Sequence, residues 1–217
     1  MLAEERRKIQ KFTVPSNRSG VLRSAVASVE KRSIAVFTEG VKTEPRYLQF
    51  WQRRFRRSVV VTLGDIHGDP LTIVRAASDL RIEELKEEKR GRGKAHDEYW
   101  CAFDRDEHAS FADAINFAQS HGISLALSNP CIELWFVLHF ADQTASIHRH
   151  DAQSLSQGHL ACGKDPTDKA LELLGDRFDD AKRRAAGLEA MHSRNGTGPF
   201  GDPSSTMCQL VDSIKGT

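Results

Sequence analysis

The chain has 217 residues, of which 39% are hydrophobic and 28% are charged, and its formal net charge is +1. This length fits one domain, or one domain with a helical appendage, and the composition is that of a globular protein. The longest apolar stretch, residues 134–140, is far shorter than the about 20 residues that cross a bilayer. No secretory signal is visible, so we expect a cytoplasmic protein without membrane contact.

The first 60 residues carry a net excess of positive charge, with fourteen Lys and Arg against five acids. Residues 1–32 show no sustained apolar period and are predicted to form a basic, flexible leader. Further on, Arg53, Arg54, Arg56 and Arg57 are packed beside aromatic residues. Such a basic surface suits a phosphate-backbone polymer, and a solvated helix face is the alternative interpretation.

The first predicted strand covers residues 33–38 and ends at Glu39. The segment Lys42-Thr43-Glu44-Pro45 then opens a helix, in which Leu48, Trp51 and Phe55 recur at helical spacing and indicate a buried face. A second strand is predicted over residues 58–63. Glu39 therefore stands directly beyond the end of a buried strand.

The third predicted strand, residues 99–104, ends in the sequence Asp104-Arg105-Asp106. Residues i and i+2 of a strand point the same way, so both carboxylates can converge beyond the strand's carboxyl end, where sites of α/β sheets lie. Two such carboxylates repel each other unless a hard cation such as Mg²⁺ lies between them. The pattern predicts half of a metal site; a solvated turn or a pair of helix caps is the alternative.

A fourth strand is predicted over residues 123–127, and the alternation of strands with helices favours a parallel sheet covered on both faces. Asn129 is predicted to cap the next helix, with Pro130 in its first turn. Glu133 lies in this nearly all-apolar helix, where a carboxylate is costly unless it is paired or metal-bound. Glu133 therefore belongs either to the site or to a buried ion pair with an arginine.

The sequence predicts an α/β domain over residues 33–140, with a parallel sheet of about four strands and flanking helices. Residues 141–217 change in character and are predicted to be a helical extension packed on that domain. Its last helix is expected to open at Asp202 and to bury Met207, Leu210 and Ile214.

Three blocks of the sequence carry a family resemblance: residues 39–45, 103–108 and 128–140. The strand ending in Glu39-Gly40 and the strand ending in Asp104-Arg105-Asp106 resemble the glutamate and Asp-x-Asp signatures of the Toprim fold. Together with Asn129-Pro130 and Glu133, the blocks are similar to the RloB-like family. The resemblance implies a Toprim-like sheet and a nuclease that depends on Mg²⁺ or Mn²⁺. It also implies a role in anti-phage, abortive-infection defence beside an AAA-type or ABC-type ATPase.

On this hypothesis Glu39, Asp104 and Asp106 hold one or two divalent ions, and Glu39 is an alternative general acid or base. Lys42 neutralises the substrate phosphate, and Glu133 completes or orients the metal site. The side chains expected to support these ligands are Glu44, Asn129 and His108. The substrate is nucleic acid, either DNA or RNA, including tRNA.

In a second hypothesis, the same carboxylates bind a ligand but the chain is not a catalyst. The chain would then be an effector or sensor subunit that binds a metal or nucleotide and controls a partner's activity. The sequence leaves a homodimer open under both hypotheses.

Overall fold

The computed structural model describes residues 31–105, 110–198 and 200–216. The predicted leader, residues 1–32, falls outside this range except for its last two residues. Asp106 and His108 fall outside it as well.

Five strands form one sheet in the order β2-β1-β3-β4-β5. They are β1 (Arg32–Thr38), β2 (Val59–Leu63), β3 (Glu98–Asp104), β4 (Ser124–Asn129) and β5 (Ser204–Ser205). The first four are mutually parallel, and β5 runs antiparallel to β4. The predicted α/β class with a mostly parallel sheet is confirmed, in an arrangement consistent with a Toprim-like fold.

Helices cover both faces of the sheet. The described residues contain α1 (Thr43–Phe55), α2 (Pro70–Lys89), α3 (Phe111–His121), α4 (Ile132–Leu138), α5 (Arg149–Leu160), α6 (Asp168–Asp176), α7 (Phe178–Asn195) and α8 (Met207–Lys215). Alternate residues of β1 enter two cores: Ile34 and Val36 face α1 and α4–α8, whereas Ala35 and Phe37 face α2 and α3. Each face of the parallel sheet is therefore buried, which explains why its strands are apolar throughout.

Two predicted helix starts are wrong. Asn129 does not cap α4, because it is the last residue of β4 and its side-chain amide donates to the Phe200 carbonyl; Cys131 takes the cap position instead. The last helix begins at Met207, not at Asp202, because Ser204 and the following serine pair with β4 before the helix starts.

The region after residue 140 shares a core with the rest of the chain. Leu171, Leu188 and Leu210, from α6, α7 and α8, belong to the same apolar cluster as Leu48 of α1 and Leu134 of α4. The predicted domain boundaries themselves stay a prediction. Within the described ranges, no helix is both long and apolar enough to cross a membrane.

Candidate functional site

The adjacent ends of β1 and β3 bring Glu39 and Asp104 together, as their positions in the sequence predict. The Glu39 amide donates to the Ala102 carbonyl over 3.0 Å, which continues the β1–β3 pairing by one residue. The Asp104 amide then donates to Glu39 Oε2 over 3.1 Å. Asp104 is only 6% exposed, so its carboxylate lies at the bottom of this strand-end site.

Two further carboxylates enter the same place from the starts of helices. Glu44 is the second residue of α1, and Glu133 is the second residue of α4. Both are buried, and together with Glu39 and Asp104 they line a cavity of about 510 Å³. We call this the acid cavity. Glu133 Oε1 is buried without a hydrogen-bond partner among the described residues.

Gly40 allows Glu44 to reach back over the β1–α1 loop. Its amide donates to Glu44 Oε1 over 3.2 Å. A Cβ at position 40 would lie 2.4 Å from Glu44 Oε2, so any larger residue would displace this carboxylate. The glycine after Glu39 is therefore needed for close approach, which supports the predicted role of Glu44 beside the strand-end carboxylates.

The acid cavity concentrates negative charge around the buried carboxylates of Asp104, Glu44 and Glu133. Burial raises the pKa of Asp104 well above its ordinary value, and the charges of Glu44 and Glu39 raise it further. Arg149 opposes this rise, whereas Glu133 adds to it. Burial also raises the pKa of Glu44. The carboxyl groups of Asp104 and Glu44 therefore bind protons more tightly than exposed carboxyl groups do. A cation bound in the cavity would release these protons.

The sequence did not reveal the cations that enter the acid cavity from the region after residue 140. Arg149, the first residue of α5, places Nη2 3.2 Å from Asp104 Oδ2, with about a third of its side chain exposed. Lys164 also lines the cavity, beside Asp165, whose Oδ1 accepts from the Thr43 hydroxyl over 3.4 Å. No motif marks these residues, because only the tertiary packing of α5 and the loop after it brings them to the strand ends.

Apart from the carboxylates of the acid cavity and the four arginines, the predicted site residues have three different locations. Lys42 is exposed and lines the acid cavity at the start of α1, where the sequence placed it. Asn129 is buried but is not among the described residues that line the cavity. Asp106 and His108 lie outside the described residues.

The four predicted nucleic-acid-binding arginines are all exposed at the end of α1. They do not have equal surroundings. Arg54 pairs with Glu172 of α6 at 3.4 Å and lies 3.7 Å from an oxygen of Asp176. Arg53 instead lines a second groove beside the acid cavity, whereas Arg56 and Arg57 are not among the residues that line either one.

The donor atoms of the acid cavity are carboxylate oxygens, the ligands that hard divalent cations prefer. Among the described residues, however, no group of three or more His, Cys, Asp or Glu side chains is close enough to hold a metal ion. A site of the predicted kind would therefore depend on Asp106 in addition to Glu39 and Asp104.

Comparison with known proteins gives one match. The model of a family described as RloB-like protein matches residues 34–214. This range begins in β1, ends in α8 and includes every described residue of the acid cavity. No curated protein matches the chain, and no solved structure matches it.

Proposed function

The chain belongs to the RloB-like family, and we propose that it is a divalent-metal-dependent nuclease that hydrolyses phosphodiester bonds. One observation carries the proposal: Glu133 Oε1 is buried beside Asp104 in a cavity lined by other carboxylates and has no hydrogen-bond partner among the described residues. A buried, unsatisfied carboxylate oxygen is costly, and a cation bound in the cavity would offset that cost.

The residues present fit Mg²⁺ or Mn²⁺ by the chemistry of their donors. Glu39 and Asp104 would hold the ion together with Asp106, and Glu133 would complete or orient this set. Once bound, the ion would polarise the phosphate and lower the pKa of the water that attacks it.

The chain's own residues account for the remaining requirements of the reaction. Lys42 and Arg149 lie at the cavity wall, where they can neutralise the non-bridging oxygens of a phosphate. Glu39 is half-buried and lines the cavity, so it can also accept or return a proton. Glu44 accepts a hydrogen bond from the Gly40 amide, which holds its carboxylate against the loop between β1 and α1.

In this proposal the nuclease acts in anti-phage, abortive-infection defence with an AAA-type or ABC-type ATPase as its partner. Family membership supports this part, whereas the geometry of the site supports the chemistry.

The test is a cleavage assay of the purified protein with Mn²⁺ or Mg²⁺ on DNA, total RNA and tRNA. We expect metal-dependent cleavage of at least one substrate, and its loss in Asp104→Asn. Asp79→Asn, which removes an exposed carboxylate of α2, is the matched control and should cleave like the wild type. Equal cleavage by wild type and Asp104→Asn would reject the assignment of the site.

One observation favours a second candidate function. Arg149 pairs with Asp104 and so places a cation in the acid cavity. If that pair persists, the cavity would bind a metal or a phosphate-bearing ligand without catalysis, and the chain would be an effector subunit. Metal binding without cleavage of any nucleic acid would support this candidate.

A further inference from the structure

A groove runs from the acid cavity along the exposed face of α1. It has a volume of about 380 Å³ and shares Val41, Lys42 and Asp165 with the acid cavity. The groove and the acid cavity are therefore neighbours, with these three residues at their common boundary. We call this groove the α1 groove.

The polar residues of α1 that line the groove follow a helical repeat. Lys42, Arg46, Gln49 and Arg53 are spaced by four, three and four residues, which places them on one side of the helix. At a rise of about 1.5 Å per residue, the stripe extends about 16 Å from Lys42 to Arg53. The stripe is therefore long enough to contact more than one phosphate of a nucleic-acid strand.

Arg53 and Arg54 are adjacent in the sequence, but only Arg53 lines the groove. Arg54 turns to α6, where it pairs with Glu172 and Asp176 and its guanidinium lies 5.9 Å from the Phe50 ring centroid. Arg53 lines the groove and has no ion pair within the described ranges of the chain. Only Arg53 of these two arginines is available to a ligand in the groove.

The acids on the opposite wall do not close the groove. Arg46 pairs with Asp168 at 3.3 Å, but 82% of the Asp168 side chain is exposed. Such surface pairs contribute at most about 1 kcal/mol, so a phosphate can replace the carboxylate as the partner of Arg46. Gln49 adds a neutral amide donor between the two arginines.

We propose that the α1 groove binds one nucleic-acid strand through its phosphates and leads that strand into the acid cavity. The path of the strand toward the acid cavity rests on the proposed function, because the acid cavity is where the strand would be cut. Lys42 belongs to both sites and would contact the phosphate next to the scissile bond. The groove recognises backbone charge, which DNA and RNA share.

The test measures binding without cleavage. Fluorescein-labelled single strands of about 12 nucleotides, one of DNA and one of RNA, are titrated in EDTA while anisotropy is recorded between about 50 and 200 mM salt. We expect Arg53→Gln to weaken binding about three- to tenfold and to reduce the slope of log K against log salt by about 0.7, the value for one single-strand phosphate contact. The double variant Arg46→Gln/Arg53→Gln should weaken binding further and reduce the salt slope further. Whichever strand binds more tightly identifies the sugar that the groove prefers.

Arg54→Gln is the matched control, since it removes the same charge one residue away. It should change affinity less than twofold and leave the salt slope unchanged. Equal effects of Arg53→Gln and Arg54→Gln, or no effect of either, would overturn the groove assignment even if the wild type cleaves nucleic acid. Arg53-dependent binding by a wild type that never cleaves would instead uphold the groove and reject the nuclease.

Discussion

Two regions of this protein surround their carboxylates in opposite ways. Glu84 of α2 accepts from the Tyr99 hydroxyl and from the His96 amide, and His96 Nδ1 lies 2.8 Å from its Oε2. Burial acts to raise the pKa of Glu84, but the hydrogen bonds from Tyr99 and His96 outweigh it and hold the pKa below its ordinary value. This carboxylate is surrounded by donors and joins α2 to the start of β3.

The acid cavity shows the reverse arrangement. Asp104 lies near other carboxylates, and its pKa is raised despite its ion pair with Arg149. Glu133 keeps an oxygen without a hydrogen-bond partner among the described residues. The difference shows that burial alone does not mark a functional acid. A carboxylate whose folded surroundings supply donors stabilises the fold, whereas a carboxylate with a raised pKa in a cavity of like charges marks a candidate functional site.

Breaking the satisfied cluster should have the largest effect on stability. Glu84→Ala removes charge-assisted hydrogen bonds and leaves Tyr99 and His96 without their partner, so we expect a loss of about 2–4 kcal/mol in the free energy of unfolding. Urea denaturation measures this loss, with the exposed neighbour variant Glu83→Ala as the control. Equal stability of the two variants would show that the Glu84 contacts contribute nothing.

Removing the charge of Glu133, whose Oε1 has no hydrogen-bond partner among the described residues, should impair function, not folding. Glu133→Gln keeps the shape of the side chain but removes its charge, so we expect Mn²⁺ affinity and cleavage to fall about 10–100-fold. Its unfolding midpoint should not fall below that of the wild type. A variant that is destabilised yet binds Mn²⁺ normally would assign Glu133 to the core instead.

Arg149 provides a test of the cation that already contacts Asp104. Arg149→Gln removes a competing positive charge, and we expect Mn²⁺ affinity to rise about three- to tenfold, equivalent to about 1 kcal/mol. Cleavage should fall, because a phosphate contact is lost. Lys164→Gln removes a cation from the same cavity without a contact to Asp104 and should change Mn²⁺ affinity less. Weaker Mn²⁺ binding by Arg149→Gln would contradict the assignment.

The raised pKa of Asp104 predicts a small gain in stability when its charge is removed. Above pH 3.8, its ordinary value, the carboxyl of the unfolded chain ionises while that of the folded protein keeps its proton. The folded state therefore loses stability as pH rises from that value to the raised pKa, and the loss is complete above it. Asp104→Asn should avoid this loss, with each 1 kcal/mol raising Tm by about 2–4 °C.

The check on this prediction is Tm as a function of pH without metal. The difference between Asp104→Asn and wild type should vanish in acid and grow toward neutral pH. A constant difference, or one that shrinks as pH rises, would show that the Asp104 carboxyl titrates like an exposed one.

The sequence predicted the parts of this molecule that depend on local pattern. Apolar runs identified β1 and β3, and carboxylates at the ends of parallel strands predicted that Glu39 and Asp104 would lie close together. In the structure the Asp104 amide donates to Glu39 Oε2. Glu133 was recognisable because a charge in an all-apolar helix needs an explanation. Each of these signals lies within a few residues of the side chain that it concerns.

The parts that escaped prediction depend on contacts between distant segments. Arg149 reaches Asp104 across 45 positions of the chain, and nothing near it in the sequence indicates that contact. The strand β5 has only two residues, too few for a periodic pattern. Asn129 looked like a helix cap because its residue type favours caps, but pairing with β5 kept it in the sheet.

The most direct test of the account is a calorimetric titration of the purified protein with Mn²⁺ near neutral pH. We expect the wild type to bind Mn²⁺, Asp104→Asn not to bind it, and Glu84→Gln to bind it like the wild type. Failure of the wild type to bind, or equal binding by Asp104→Asn, would contradict the claim that the acid cavity is a metal site.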